Sequence, residues 1–210
     1  MLGILREKIS YFFFKQRLKK RMASLYEMED PWRSSELCAR FEPFLRSALQ
    51  LRAKTVIAAP VLDAGGGEGW LQSHLGAEDY HLLDLAPKAL ERAKKRIGEN
   101  RVRIFCSSLD QFHPEANVYG AVFLISVLNY LGKDRHPRIY KIIVSELSSA
   151  VKPGGVIALI HPFYTPEEKS KLLSLGEDFL SNGSLEKRQS VVLPGKPQSF
   201  LCEMYQKRVN

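Results

Sequence analysis

The chain has 210 residues, 45% hydrophobic and 26% charged, with a formal net charge of +8. That balance describes one folded domain with a substantial core and excludes disorder, while the longest apolar run, about Gly120–Leu128, is too short for a membrane-spanning helix. Three widely separated cysteines, Cys38, Cys106 and Cys202, form no CxxC or Cys/His ligand spacing, which argues against a disulfide framework or a metal site and for a reducing, cytoplasmic setting.

The excess charge lies at one end. Residues 1–22 hold seven lysines and arginines against only Glu7, so the rest of the chain is nearly balanced and does not describe a nucleic-acid-coating surface. The same segment is predicted to be helical over residues 1–29. Leu2, Leu5, Ile9 and Phe13 recur every three to four residues, and Phe14, Leu18, Met22 and Leu25 continue the pattern on a slightly shifted face. Its aromatic run Tyr11–Phe14 is too short for a signal-peptide core. Such a helix either packs its apolar stripe on the domain and solvates its lysines, or rests on a membrane surface or an anionic partner. Asp30-Pro31-Trp32 breaks it, and a second helix is predicted over Glu36–Leu51, with Phe41, Phe44, Leu45, Ala48 and Leu49 inward. Residues 1–55 thus read as an N-terminal helical arm, and residues 56–210 as the main domain.

From Val56 short apolar runs alternate with helical segments, the mark of βαβ units around a buried parallel sheet. Strands are predicted at Val56–Asp63, Tyr80–Asp84, Val102–Cys106, Ala121–Ser126 and Val156–His161, with helices at Gly69–Leu75, Pro87–Ile97 and Pro137–Val151 between them. Pro153-Gly154-Gly155 is read as the turn into the fifth strand. Residues 166–181 read as helix. Ser190–Leu193 and Phe200–Tyr205 flank a Pro-Gly-Lys-Pro turn and suggest an antiparallel pair at one sheet edge. The fold class is α/β: a Rossmann-like three-layer αβα sandwich on a mostly parallel seven-stranded sheet with an antiparallel C-terminal edge, plus N-terminal helices.

Chemistry concentrates in Val61-Leu62-Asp63-Ala64-Gly65-Gly66-Gly67-Glu68-Gly69, an apolar strand that ends in an aspartate and runs into alternating glycines before a helix. Glycines there let a ligand approach bare main chain at the carboxyl end of a strand. A dinucleotide GxGxxG frame opening at Gly65 places Trp70 where the third glycine belongs, and the match fails. What remains, Asp-x-Gly-x-Gly-x-Gly, resembles the first motif of the class I S-adenosylmethionine-dependent methyltransferases. Asp84 follows Asp63 by 21 residues and ends the second strand, where a carboxylate can accept hydrogen bonds from both ribose hydroxyls.

The resemblance implies that Asp63, Gly65, Gly67, Gly69, Asp84 and Leu85 hold S-adenosylmethionine, with Ser108 and Leu109 at its adenine. Two positions depart from the family pattern: Ser108 stands where an aspartate is usual, and Gly120 replaces the acid of Phe-Asp-x-Val. A narrower similarity, through Asp30-Pro31-Trp32, Val127-Leu128-Asn129-Tyr130-Leu131 and Ile160-His161, is to nodulation-protein-S-type methyltransferases, which include small-molecule N-methyltransferases whose upstream segment forms a lid. Trp32 is equally a hydrophobic staple. Asn129, Tyr130 and His161 follow strand ends and are the catalytic-side candidates, with His161 as a base or a substrate hydrogen-bonding group and His136 as a helix cap. No carboxylate cluster signals a metal. The acceptor expected is a small molecule with an N or O nucleophile. An RNA or protein acceptor gripped by the basic helix, or a binding module on a methyltransferase fold, is the alternative, and nucleic acid is the less expected partner. The oligomeric state is not legible.

Overall fold

A computed structural model describes residues 2–28, 34–131, 133, 136–181, 183–195 and 198–209. Asp30-Pro31-Trp32 lies outside them. Helix α1 (Leu2–Leu25) and helix α2 (Ser34–Leu51) precede strand β1 (Val61–Ala64), helix α3 (Leu71–Leu75), strand β2 (Tyr80–Asp84), helix α4 (Pro87–Ile97) and strand β3 (Arg103–Cys106). Strand β4 (Tyr119–Ile125), helix α5 (Pro137–Ala150), strand β5 (Val151–Phe163), helix α6 (Pro166–Glu177), strand β6 (Leu185–Leu193) and strand β7 (Ser199–Lys207) complete the chain.

The strands form one sheet in the order β3-β2-β1-β4-β5-β7-β6. β1 to β5 run parallel, and β7 lies antiparallel between β5 and β6. The expected α/β sandwich with its antiparallel edge is therefore the observed one. Alternation along each strand sends side chains to two cores. On one face Val61, Leu82, Phe123 and Ala158 meet Phe41, Phe44 and Leu45 of α2 and Leu90 and Ala93 of α4. On the other, Leu62, Leu83, Val122 and Leu159 meet Tyr140, Ile143 and Leu147 of α5 and Leu172 and Leu175 of α6. α2 is thus built into a layer of the sandwich, with four of its five expected inward residues fully buried and Leu49 half-buried. α1 lies across the ends of the strands. None of the described helices is long and apolar enough to cross a membrane.

Local chemistry sets several boundaries. Pro87 and Pro137 open α4 and α5 at positions where a missing N–H costs nothing. Thr165 and Glu168 form a capping box that starts α6. β1 begins at Val61 rather than Val56, because Lys54–Val56 form a 3-10 turn whose end is packed against β4. Pro153-Gly154-Gly155 lies inside β5 rather than before it: Tyr119 pairs with Val151 and Ala121 with Val156, so the intervening residues bulge within a continuing strand.

Candidate active site

A crevice of about 1060 Å³ opens over the carboxyl ends of the parallel strands. It spans the point between β1 and β4 where the strand order reverses, the place where open α/β sheets take ligands. Its floor is the loop after β1. Gly65 and Gly67 adopt φ of +79° and +56°, values that strain any residue with a Cβ. Room is short as well: a Cβ on Gly65 would come within 2.6 Å of Val127 Cγ2, and one on Gly67 would strike the Tyr26 hydroxyl. Gly69, grouped with them by spacing, does something else. It packs under Ile97 and Leu82, away from the crevice lining, and lets α4 close on the sheet.

Asp84 is the polar centre of this half. Its carboxylate lines the crevice and is 9% exposed. Oδ2 accepts the Gly67 amide at 2.9 Å and Oδ1 the Ala86 amide at 2.8 Å. Each oxygen keeps a second lone pair, so the group can still take two hydroxyl hydrogens from a bound ribose while bracing the glycine loop. Burial raises its pKa, and the backbone donors work against that rise. Asp63 also lines the crevice but is engaged differently. Its carboxyl group abuts Gly66 and accepts the Tyr80 hydroxyl, and burial raises its pKa to about 7. Asp63 therefore anchors β1 to β2 and the loop from below.

Leu85, Ser108 and Leu109 also line the crevice. Ser108 donates its hydroxyl to Gln111 Oε1 at 3.1 Å, a bond within its own turn. The acid of this region is instead Asp110, which sequence reasoning did not single out. Asp110 accepts Lys15 Nζ at 2.9 Å and the Tyr11 hydroxyl at 3.3 Å, both from α1. Nothing local marks a pairing across 95 residues. Two further pins hold the same helix. Glu7 accepts the Arg138 amide at 2.9 Å, and Glu27, just past the helix end, pairs with Lys88. So held, α1 roofs the crevice with Tyr11, Phe14, Leu18, Met22 and, beyond its last turn, Tyr26.

The half over β4 and β5 is lined by Ser126, Val127, Leu128, Tyr130, Tyr164 and Lys171. Ser126 sits at φ +58°, an uncommon conformation for a residue with a side chain, and its amide bonds Ile160 O at 2.7 Å. Strain of this kind at the end of a β4-type strand is a feature of functional sites that no sequence pattern announces. Tyr130 is half-buried, and burial raises its pKa against the pull of Arg21. Asn129 belongs to the same 3-10 turn, Leu128–Tyr130, and its side chain lies outside the described residues.

His161 is not in the crevice. It is 0% exposed within β5, neither ring nitrogen has a hydrogen-bond partner among the described residues, and burial lowers its pKa to about 4. The strand runs two residues past the expected end, to Phe163, which carries His161 into the sheet interior. His136 occupies the N-cap of α5 with no side-chain cap bond. Its ring packs instead against Tyr11 and Phe14 at 5.1 and 5.4 Å. Gly120, the second departure, has no room for an acid: a Cβ there would lie 2.5 Å from the Val56 carbonyl. Among the described residues no group of His, Cys, Asp and Glu could hold a metal ion.

Residues 61–155 match a family model described as a methyltransferase domain. Over 104 residues the chain is 28% identical to N-terminal Xaa-Pro-Lys N-methyltransferase 1 of Xenopus tropicalis, across 47% of this chain and 45% of that protein. The chain thus spans under half the length of that curated relative. Among solved structures, N-methyltransferase NodS of Bradyrhizobium japonicum in complex with S-adenosylhomocysteine is similar with a TM-score of 0.69, 14% identity, and 92% and 98% of the two chains covered. The 1,6-didemethyltoxoflavin-N1-methyltransferase of Burkholderia thailandensis is similar with a TM-score of 0.66, 18% identity, and 91% and 88% covered.

Proposed function

We propose, from the match of residues 61–155 to a methyltransferase-domain model, that this chain is a class I methyltransferase that methylates a nitrogen or oxygen atom of a small-molecule acceptor, an amine first among them. Its cofactor is S-adenosylmethionine. The observation that carries the reading is the pairing of the Gly65–Gly67 reversal with a crevice-lining Asp84 carboxylate.

The residues present fit that cofactor. Gly65 and Gly67 would leave bare main chain for its amino-acid end, and Asp84 would offer acceptor positions to its ribose hydroxyls. Leu85 and Leu109 supply apolar walls for the base. When bound, S-adenosylmethionine supplies an electrophilic methyl group, so the protein's task is alignment and exclusion of water. α1 serves the exclusion, and the strand ends of β4 and β5 serve the alignment. On the acceptor side Glu168 is tied to the Tyr164 and Thr165 amides, and Tyr130 holds its proton more firmly than a free phenol. Tyr130 is therefore a hydrogen-bond donor near the acceptor rather than a base. An amine fits such a site best, since a neutral nitrogen attacks unaided and gives up its proton afterwards, whereas an alcohol calls for a base near neutrality. Nitrogen-directed names among the similar proteins support the amine, and three free cysteines support a cytoplasmic setting.

A protein amine is the second reading, favoured by the likeness to an N-terminal Xaa-Pro-Lys N-methyltransferase. Incubation with methyl-labelled cofactor and a size-fractionated cell extract tests both. Label in the small-molecule fraction supports the first reading, label in protein supports the second, and absence of S-adenosylhomocysteine binding by calorimetry overturns the enzyme assignment.

A further inference from the structure

We propose that the outward face of α1 docks on an anionic lipid surface. The helix has two apolar sides. Tyr11, Phe14, Leu18 and Met22 face the crevice. Leu5, Ile9, Phe12 and Phe13 point the other way and are 56%, 49%, 53% and 59% exposed. At α-helical spacing these four fall in a sector about 100° wide on the side away from Tyr11. Lys8 and Lys19 border one edge of the sector and Arg6 and Arg17 the other, Arg17 also reaching the crevice rim; Lys20 falls within the sector's angle two turns beyond Phe13, and all five are exposed. Glu7, the one acid of the helix, is turned inward to the Arg138 amide.

Charge decides the occupant. A second copy of the chain would bring two strongly basic helices face to face. Nucleic acid would neutralise the cations but leave Leu5 and Ile9 with no apolar partner. An anionic headgroup layer satisfies both at once, taking the apolar sector to a depth of about 5–10 Å with the cations at phosphate level. The helix then lies flat in the interface, consistent with no described helix being able to cross a membrane.

Vesicle binding does not depend on methyl transfer, so its test is separate from that of the enzymatic reading. The full chain is floated with vesicles of phosphatidylcholine, with and without phosphatidylglycerol. Binding is expected to the mixed vesicles alone and to weaken as salt is raised. The double variants Phe12→Ser/Phe13→Ser and Lys19→Glu/Lys20→Glu should each lower apparent affinity at least about tenfold while keeping the wild-type unfolding midpoint. Equal binding to pure phosphatidylcholine, no binding to either, or binding unaffected by both variants overturns the proposal. So does a labelled RNA that binds and displaces the chain from vesicles, or a concentration-dependent dimer abolished by Phe12→Ser/Phe13→Ser.

Discussion

The two halves of the crevice are made by different means. Over β1 and β2 the wall is largely main chain, set by the turns that follow two neighbouring strands: glycines without side chains after β1, and at the end of β2 a carboxylate that accepts the Gly67 and Ala86 amides. Over β4 and β5 the wall is side chains drawn from α1, from the turn after β4 and from α6, which meet only in three dimensions. The first half is specified by local sequence and suits an invariant ligand. The second is specified by tertiary packing and can change without disturbing the first.

The sharpest way to break that contrast is at Asp84. Asp84→Ala removes two charge-assisted acceptor positions for a ribose, each worth about 1.5–3 kcal/mol, so affinity for S-adenosylhomocysteine measured by calorimetry should fall about 100-fold or more. An unchanged affinity would mean the carboxylate only braces the loop. His161, buried inside β5 and outside the crevice, should behave in the opposite way. His161→Leu is expected to leave turnover intact and to alter only the response to acid. Burial holds the imidazole at about 4, against about 6.5 for a free one. Above pH 6.5 both folded and unfolded chains hold it neutral and the full stability is present. As pH falls below that value the unfolded chain takes up a proton that the native one refuses, and stability declines. The variant's advantage over wild type in urea unfolding should therefore grow by about 1.4 kcal/mol per pH unit down to pH 4.

Two smaller effects refine the comparison. Gly120→Ala forces a Cβ against the Val56 carbonyl and should cost roughly 2 kcal/mol of stability in denaturant titration, with cofactor affinity unchanged. A loss of affinity instead would return this position to the site. Asp110→Asn weakens the hold on Lys15 and Tyr11. The pair is only partly shielded, so the expected loss is a few-fold in cofactor affinity, about 1 kcal/mol or less, read chiefly as faster dissociation.

The same contrast explains what the sequence disclosed. β2, α4 and the start of α5 were legible to the residue because periodicity and an opening proline are local signals. Gly65, Gly67 and Asp84 were legible because the chain itself must turn there. Asp110 was not, since its meaning depends on α1 lying across the strand ends. Nor was the burial of His161, which follows from β5 continuing beside β7 to Phe163. Gly120 read as a missing acid, yet the cause is the carbonyl of Val56 in a turn that apolar content made look like strand. Gly69 shared the motif's spacing while serving the helix behind it.

Trp70, the residue that spoiled the dinucleotide frame, forms part of the crevice wall with the Arg96 guanidinium 4.3 Å from its ring centre. The chain holds two tryptophans. Replacing Trp32 with phenylalanine would leave a single indole beside the glycine loop, its emission tuned by a neighbouring cation. That variant's emission is expected to change as the crevice fills, which stopped-flow mixing would follow without any attached dye.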